Sequence, residues 1–184
     1  MRVSTPLKIL IGFLLPSSII VLATTVIPMS IERLSAASSH VVEGVPLQTW
    51  SQWNPQHTMI LTYTKFQVQR TLKGQAPPMV IVKQLGGRVG STVQKVAGVR
   101  RLQPGEQAVL FLRPGDENDG TLVITGLMQG NFSVRFAEDG TLIASNGMPD
   151  VHAYSISTGE ITSYQGNRVR LTDLETRVQK AAQQ

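Results

Sequence analysis

The stretch Met59-Ile60-Leu61-Thr62-Tyr63-Thr64-Lys65-Phe66-Gln67-Val68-Gln69-Arg70 decides the fold class. In an extended chain Thr62, Thr64, Phe66 and Val68 fall on one side, and Tyr63, Lys65, Gln67 and Gln69 on the other. This period of two, rich in β-branched and aromatic residues, predicts a strand. Leu72-Lys73-Gly74-Gln75 then turns the chain. Met79-Val80-Ile81-Val82-Lys83 returns as a more continuously apolar strand, the pattern expected where both faces are covered. Upstream, Val41-Val42-Glu43-Gly44-Val45 reads as the first strand.

Strands continue downstream. Ala108-Val109-Leu110-Phe111-Leu112 is the most apolar stretch of the mature chain and is expected to be the central strand. Gln103-Pro104-Gly105-Glu106 turns into it and Arg113-Pro114-Gly115 ends it. Asp119-Gly120 and Asp139-Gly140 are hairpin signals, so 122–125, 131–136 and 142–144 read as the strands of a following meander. Ser30 can cap a short helix over 30–37, with Glu32 in its first turn. Thr172 and Glu175 have the spacing of a capping box opening a C-terminal helix, 171–182, with Leu171, Leu174 and Val178 on one face. The expected fold is mainly β: an OB-like or related small barrel, a following meander, a short N-terminal helix and a C-terminal helix.

The amino terminus carries an export pattern. Arg2 and Lys8 precede Ile9–Ile27, which contains no charge, and Val21-Leu22-Ala23 offers an aliphatic residue at −3 and Ala at −1. Cleavage after Ala23 leaves one β-rich domain, taken here as 29–184. The alternative is an uncleaved anchor running to about residue 28, since a span needs roughly 17–25 apolar residues. The expected localisation is secreted or periplasmic, or membrane-anchored through residues 9–27.

Cysteine is absent, which removes Cys-ligated zinc, iron–sulfur clusters and a thiol nucleophile. Net charge is +5, yet no basic run exceeds Arg100-Arg101. A mildly basic surface without a cluster argues against nucleic acid as the partner. It leaves an unidentified protein or a polyanion.

Several segments together resemble a recurrent group of exported bacterial proteins of unknown function. They are Met29-Ser30-Ile31-Glu32-Arg33-Leu34, Val41-Val42-Glu43-Gly44, and Thr62-Tyr63-Thr64 running into Leu72-Lys73-Gly74. Lys83-Gln84-Leu85-Gly86-Gly87-Arg88-Val89-Gly90 follows, then Pro104-Gly105-Glu106 leading to Leu110-Phe111-Leu112. Ile124-Thr125-Gly126-Leu127-Met128-Gln129-Gly130-Asn131-Phe132 completes the set. The resemblance brings no catalytic residues. More distantly, the Leu-Lys-Gly strand end, the glycine loop and the Leu-Phe-Leu strand are similar to the OB-type barrels of tissue-inhibitor and netrin-like modules. Protease inhibition there uses an amino-terminal cysteine, which this chain lacks, so only the fold is implied.

No motif for a cofactor, metal or catalytic group emerges. Gly86 and Gly90 are four apart with no following Lys-Ser/Thr, unlike a phosphate loop. Asp116-Glu117-Asn118-Asp119-Gly120 places its glycine one position early for a calcium loop, and Leu127 stands where the closing Glu belongs. His40, His57 and His152 are scattered, and no G-x-S-x-G is present. The candidate partner-binding residues are therefore Gly86, Gly87, Arg88 and Gly90, with Trp50 and Trp53. Three glycines in five residues suit unusual dihedrals or a close approach to the backbone, and Arg88 adds a forked donor for a carboxylate or phosphate. Trp50 and Trp53 lie three apart in a chain that is only 5% aromatic.

Fractionation of the native host tests export. The chain is expected in the envelope or secreted fraction, and a soluble, uncleaved, full-length cytosolic chain overturns that reading.

Overall fold

The computed structural model describes residues 24–115, 119–148 and 151–183. The predicted signal segment 1–23 and the Asp116-Glu117-Asn118 part of the acidic loop lie outside them. In chain order the elements are β1 (Thr24–Val26), α1 (Ile31–Ala36), β2 (His40–Trp53), β3 (Ile60–Lys73), β4 (Met79–Leu85), β5 (Gly87–Val89) and β6 (Thr92–Gln94). There follow β7 (Ala108–Pro114), β8 (Leu122–Ile124), a 3-10 turn (Leu127–Gly130), β9 (Asn131–Phe136) and β10 (Leu142–Ser145). The chain ends with β11 (Val151–Tyr154), β12 (Ile161–Ser163), β13 (Arg168–Arg170) and α2 (Leu171–Ala182).

Five strands close into a barrel in the order β7-β2-β3-β4-β8 and back to β7. β4 and β8 run parallel, Val82 beside Leu122, while the other junctions are antiparallel. This is the OB-like barrel that the sequence predicts. Its filling comes from alternate positions: Val42, Phe66, Val80, Val82, Ala108, Leu110 and Leu112, with Leu102 closing one side. Thr62 and Thr64 share the inward face of β3 with Phe66, as the period of two requires.

β8 departs from the expected meander. It pairs with β4 and β7 and so belongs to the barrel, whereas β9 pairs with β7 and leads on to β10 and β13. β2 also runs further than expected, because irregularities at Val41/Val42, Glu43/Gly44 and Pro46/Gln48 bend it without ending its pairing with β3. Beyond Gly44 it has no strand partner on its β7 side, so Gln48–Trp53 forms the free edge of a β2-β3-β4 sheet, and this β2–β3 stretch is the arm referred to below.

A second core lies outside the barrel. Val109 and Phe111 of β7, Phe132 and Val134 of β9, and Ala144 of β10 meet Ile31 and Leu34 of α1 and Leu171, Leu174 and Val178 of α2. Phe111 and Phe132 pack with ring centroids 5.6 Å apart. Ser30 caps α1 as expected, accepting from the Arg33 N–H at 3.2 Å. The capping box of α2 does not form. The helix starts at Leu171 with Arg170 at the cap position, and the Glu175 carboxylate instead accepts both arms of the Arg70 guanidinium at 2.9 Å. Arg177 donates to both oxygens of Glu32, tying the two helices and holding that carboxyl down at about 2.

Replacing Phe111 with Ala should cost about 3–5 kcal/mol through lost apolar transfer and the cavity left behind. Urea melts at unchanged m-value are the measurement, and a loss below about 1 kcal/mol would mean that the second core does not depend on this ring.

Candidate functional site

The β2–β3 arm has two faces, and the candidate residues divide between them. Trp50 lies directly across from Tyr63 on the outer face, with ring centroids 5.7 Å apart and planes within 15°. Trp53 sits near the end of the arm and stacks on His57 at 6.1 Å. The inner face carries Thr49, Ser51 and Thr62, small hydroxyl side chains that leave room for a second layer.

The segment from Gly86 to Gln103 supplies that layer. The Gly86 N–H donates to the Ile60 carbonyl at 2.7 Å, and the Thr62 hydroxyl donates to the Gly86 carbonyl at 2.6 Å. Ser51 and Thr62 hydroxyls lie 2.8 Å apart. The Ile60 N–H donates to Gln94 Oε1 at 2.7 Å, which ties down the far strand of the β5–β6 hairpin. The hairpin pairs Gly87 with Gln94 and Arg88 with Val93.

This packing explains two of the glycines. Gly87 has φ +148°, and a Cβ there would fall 2.4 Å from Thr62 Oγ1 and 2.5 Å from Ser51 Oγ. A Cβ on Gly86 would fall 2.5 Å from the Gln94 carbonyl oxygen and 2.8 Å from Arg101 Nη2. Gly90 only turns the hairpin, at φ +57° with nothing within 4 Å. The structure therefore brings Gly86, Gly87 and Arg88 against the inner face of the arm, and leaves Trp50 on the opposite face.

Between arm, hairpin and the loop 95–103 runs an open groove of about 800 Å³. Its walls carry the hydroxyls of Thr49, Ser51 and Thr62, apolar side chains from Val93, Val99 and Met148, and three cations: Arg88, Lys95 and Arg101. No acidic residue lines it among the described residues. Arg101 is the deepest of the three. Its Nη2 donates to the Leu85 carbonyl at 2.8 Å, while Nη1 is buried with no partner. Burial without a counter-charge pulls its pKa below the ordinary guanidinium value.

Several cations elsewhere are paired with carboxylates. Arg70 pairs with Glu43 and Glu175, Arg100 with Glu106, Lys83 with Asp119 and Arg177 with Glu32. The Thr121 hydroxyl and Lys83 hold the Asp119 carboxyl below its usual range. A smaller cavity of about 330 Å³ beside Leu61, Leu85 and Met59 is mostly apolar, and its Lys83 is the one paired with Asp119.

The histidines stay apart. His40 Nδ1 lies 2.8 Å from Ser39 Oγ on an exposed ledge, His57 stacks on Trp53, and His152 Nδ1 is buried without a partner. Among the described residues, no group of three His, Asp or Glu side chains could hold a metal ion. No family model matches the chain, and a search of curated proteins finds no match either.

Gly87→Ala should lower stability by at least twice the loss at Gly90→Ala, for which about 1 kcal/mol of left-handed backbone strain is expected. Thermal melts of the two variants compare them. Equal losses would mean that the contact with Ser51 and Thr62 does not constrain the loop.

Proposed function

We propose that this chain is an exported, non-enzymatic binding module that engages a partner through the groove between the β2–β3 arm and the β5–β6 hairpin. The carrying observation is an open groove whose three cations have no acidic partner among the described residues, while Arg70, Lys83, Arg100 and Arg177 are each paired with a carboxylate. Charges left without intramolecular partners next to a concave surface are where an external group adds most. The rigid barrel behind the arm suits recognition, since the arm and loop are fixed to it by hydrogen bonds. The resemblance to exported bacterial proteins and the pattern Arg2, Lys8 and Ile9–Ile27 support an envelope or extracellular location.

The residues just after Ala23 support the end of the export segment at that point. Thr24–Val26 form β1, which pairs in parallel with β11 from Thr24 opposite Val151 to Val26 opposite Ala153. The Met29 N–H donates to Gln129 Oε1 at 2.7 Å, and Gln129 Nε2 donates to the Ile27 carbonyl at 3.2 Å. No helix among the described residues is long and apolar enough to cross a membrane. The same stitching favours a second reading, a membrane-tethered accessory domain: if residues 1–23 are retained, no linker separates anchor from barrel.

Photo-crosslinking in the native envelope tests the groove, with the crosslinker at exposed Val93. Arg88→Ala should keep stability within about 0.5 kcal/mol, as exposed changes usually do, and lose the crosslinked partner. A variant that crosslinks the same partner with unchanged yield would place binding elsewhere.

A further inference from the structure

We propose that the groove receives an acidic, extended peptide segment, with one of its carboxylates seated on Arg101. The inference rests on the binding-module reading above and names the chemistry of the partner.

Arg101 carries it. A guanidinium nitrogen removed from water and given no acceptor loses its hydration without return, and such a group is costly to fold around. Leu85 supplies a carbonyl to Nη2 only, Nη1 is buried without an acceptor, and the side chain as a whole lines the groove. Gly86 makes the position possible, because a side chain there would collide with the same guanidinium. Carboxylate matches this donor set: charge-assisted and geometrically fitted to a guanidinium. Burial lowers the pKa of Arg101 with no carboxylate among the causes, consistent with a site awaiting its counter-ion.

The walls choose among anions. Arg88 and Lys95 extend positive charge along the groove, so a single small anion would leave most of it uncompensated. Val93, Val99 and Met148 lie among those cations and offer apolar contact, which peptide side chains use and a sulfated sugar does not. Base or sugar stacking needs an aromatic platform. No aromatic side chain lines the groove, and Trp50 and Tyr63 stack on the opposite face of the arm.

Fluorescence anisotropy with a fluorescein-labelled octaglutamate peptide at low salt tests the proposal. Octaglutamine, a heparin hexasaccharide and inorganic phosphate serve as competitors. The intact domain should bind octaglutamate, and octaglutamine should not compete. Arg101→Gln should weaken binding at least tenfold, with Arg101→Lys between the two. Lys180→Gln, on the exposed far helix, removes the same charge and should leave binding unchanged. If Arg101→Gln does not fold, the double variant Arg88→Ala with Lys95→Gln, both at exposed positions, carries the same expectation. Equal binding by Arg101→Gln and the parent overturns the seat, and an equal loss in Lys180→Gln reduces the effect to net charge. Competition by phosphate or by the hexasaccharide at lower concentration than unlabelled octaglutamate overturns the peptide class. A domain that crosslinks its envelope partner through Val93 yet ignores octaglutamate loses this inference alone. A domain that does neither loses the groove as well.

Discussion

β7 is buried on both faces, and the rest of the structure is arranged to achieve that. Ala108, Leu110 and Leu112 point into the barrel, while Val109 and Phe111 point into the second core. Its hydrogen-bonding edges are divided to match. One edge pairs with β2 from Ala108 to Leu112. The other pairs first with β9, at Ala108–Leu110, and then with β8, at Leu112–Pro114. Between the two, the Thr125 N–H reaches the Phe111 carbonyl at 2.9 Å, so the strand's polar groups stay satisfied across the fork. A single strand thereby closes the barrel and starts the sheet on which both helices lie.

Much of this was legible in sequence because it depends on periodicity. The alternation at Thr62–Val68 gave inward and outward faces, and the five apolar residues 108–112 marked a strand with no solvent side. Leu171, Leu174 and Val178 marked the helix face that meets the second core. What sequence could not show was pairing. Nothing local tells β8 to join β4 in parallel and not β9 in a hairpin: Asp119-Gly120 turns into it, and the next Asp-Gly, at 139–140, lies beyond β9. The second half of β2 was hidden for a related reason: the expected strand ended at Val45, but the irregularity at Pro46/Gln48 lets pairing continue past the proline to Trp53.

The site was half legible. The glycine cluster advertised a close backbone approach, and the approach is there, made by Thr62 of β3 and by Ser51 on the part of β2 beyond its expected end at Val45. Tryptophan spacing misled, because residues 50 and 53 are three apart on a strand of period two and so project to opposite faces. Arg101 carried no signal at all. Arg100 and Arg101 are neighbours in sequence and chemically identical, yet Arg100 bonds Glu106 and the Asn131 carboxamide while Arg101 finds one carbonyl. Only the folded chain separates the satisfied cation from the unsatisfied one.

That difference bears on why the groove is built as it is. Along the arm the Ser51 and Thr62 hydroxyls are committed: Ser51 to Thr62, and Thr62 to Gly86. The backbone of Ile60 is committed too, its carbonyl to Gly86 and its N–H to Gln94. The scaffold therefore holds its shape without an occupant. The charge lining the groove is all of one sign among the described residues. A surface organised for stability alone would place Glu or Asp opposite Arg101, as it does opposite Arg70, Arg100 and Arg177. A partly buried cation left without the carboxylate that Arg70, Arg100 and Arg177 receive is a local failure of charge pairing, and at a concave place it points to selection for something other than stability. An anionic occupant would remove the failure, and in doing so would raise the stability of the folded domain by mass action.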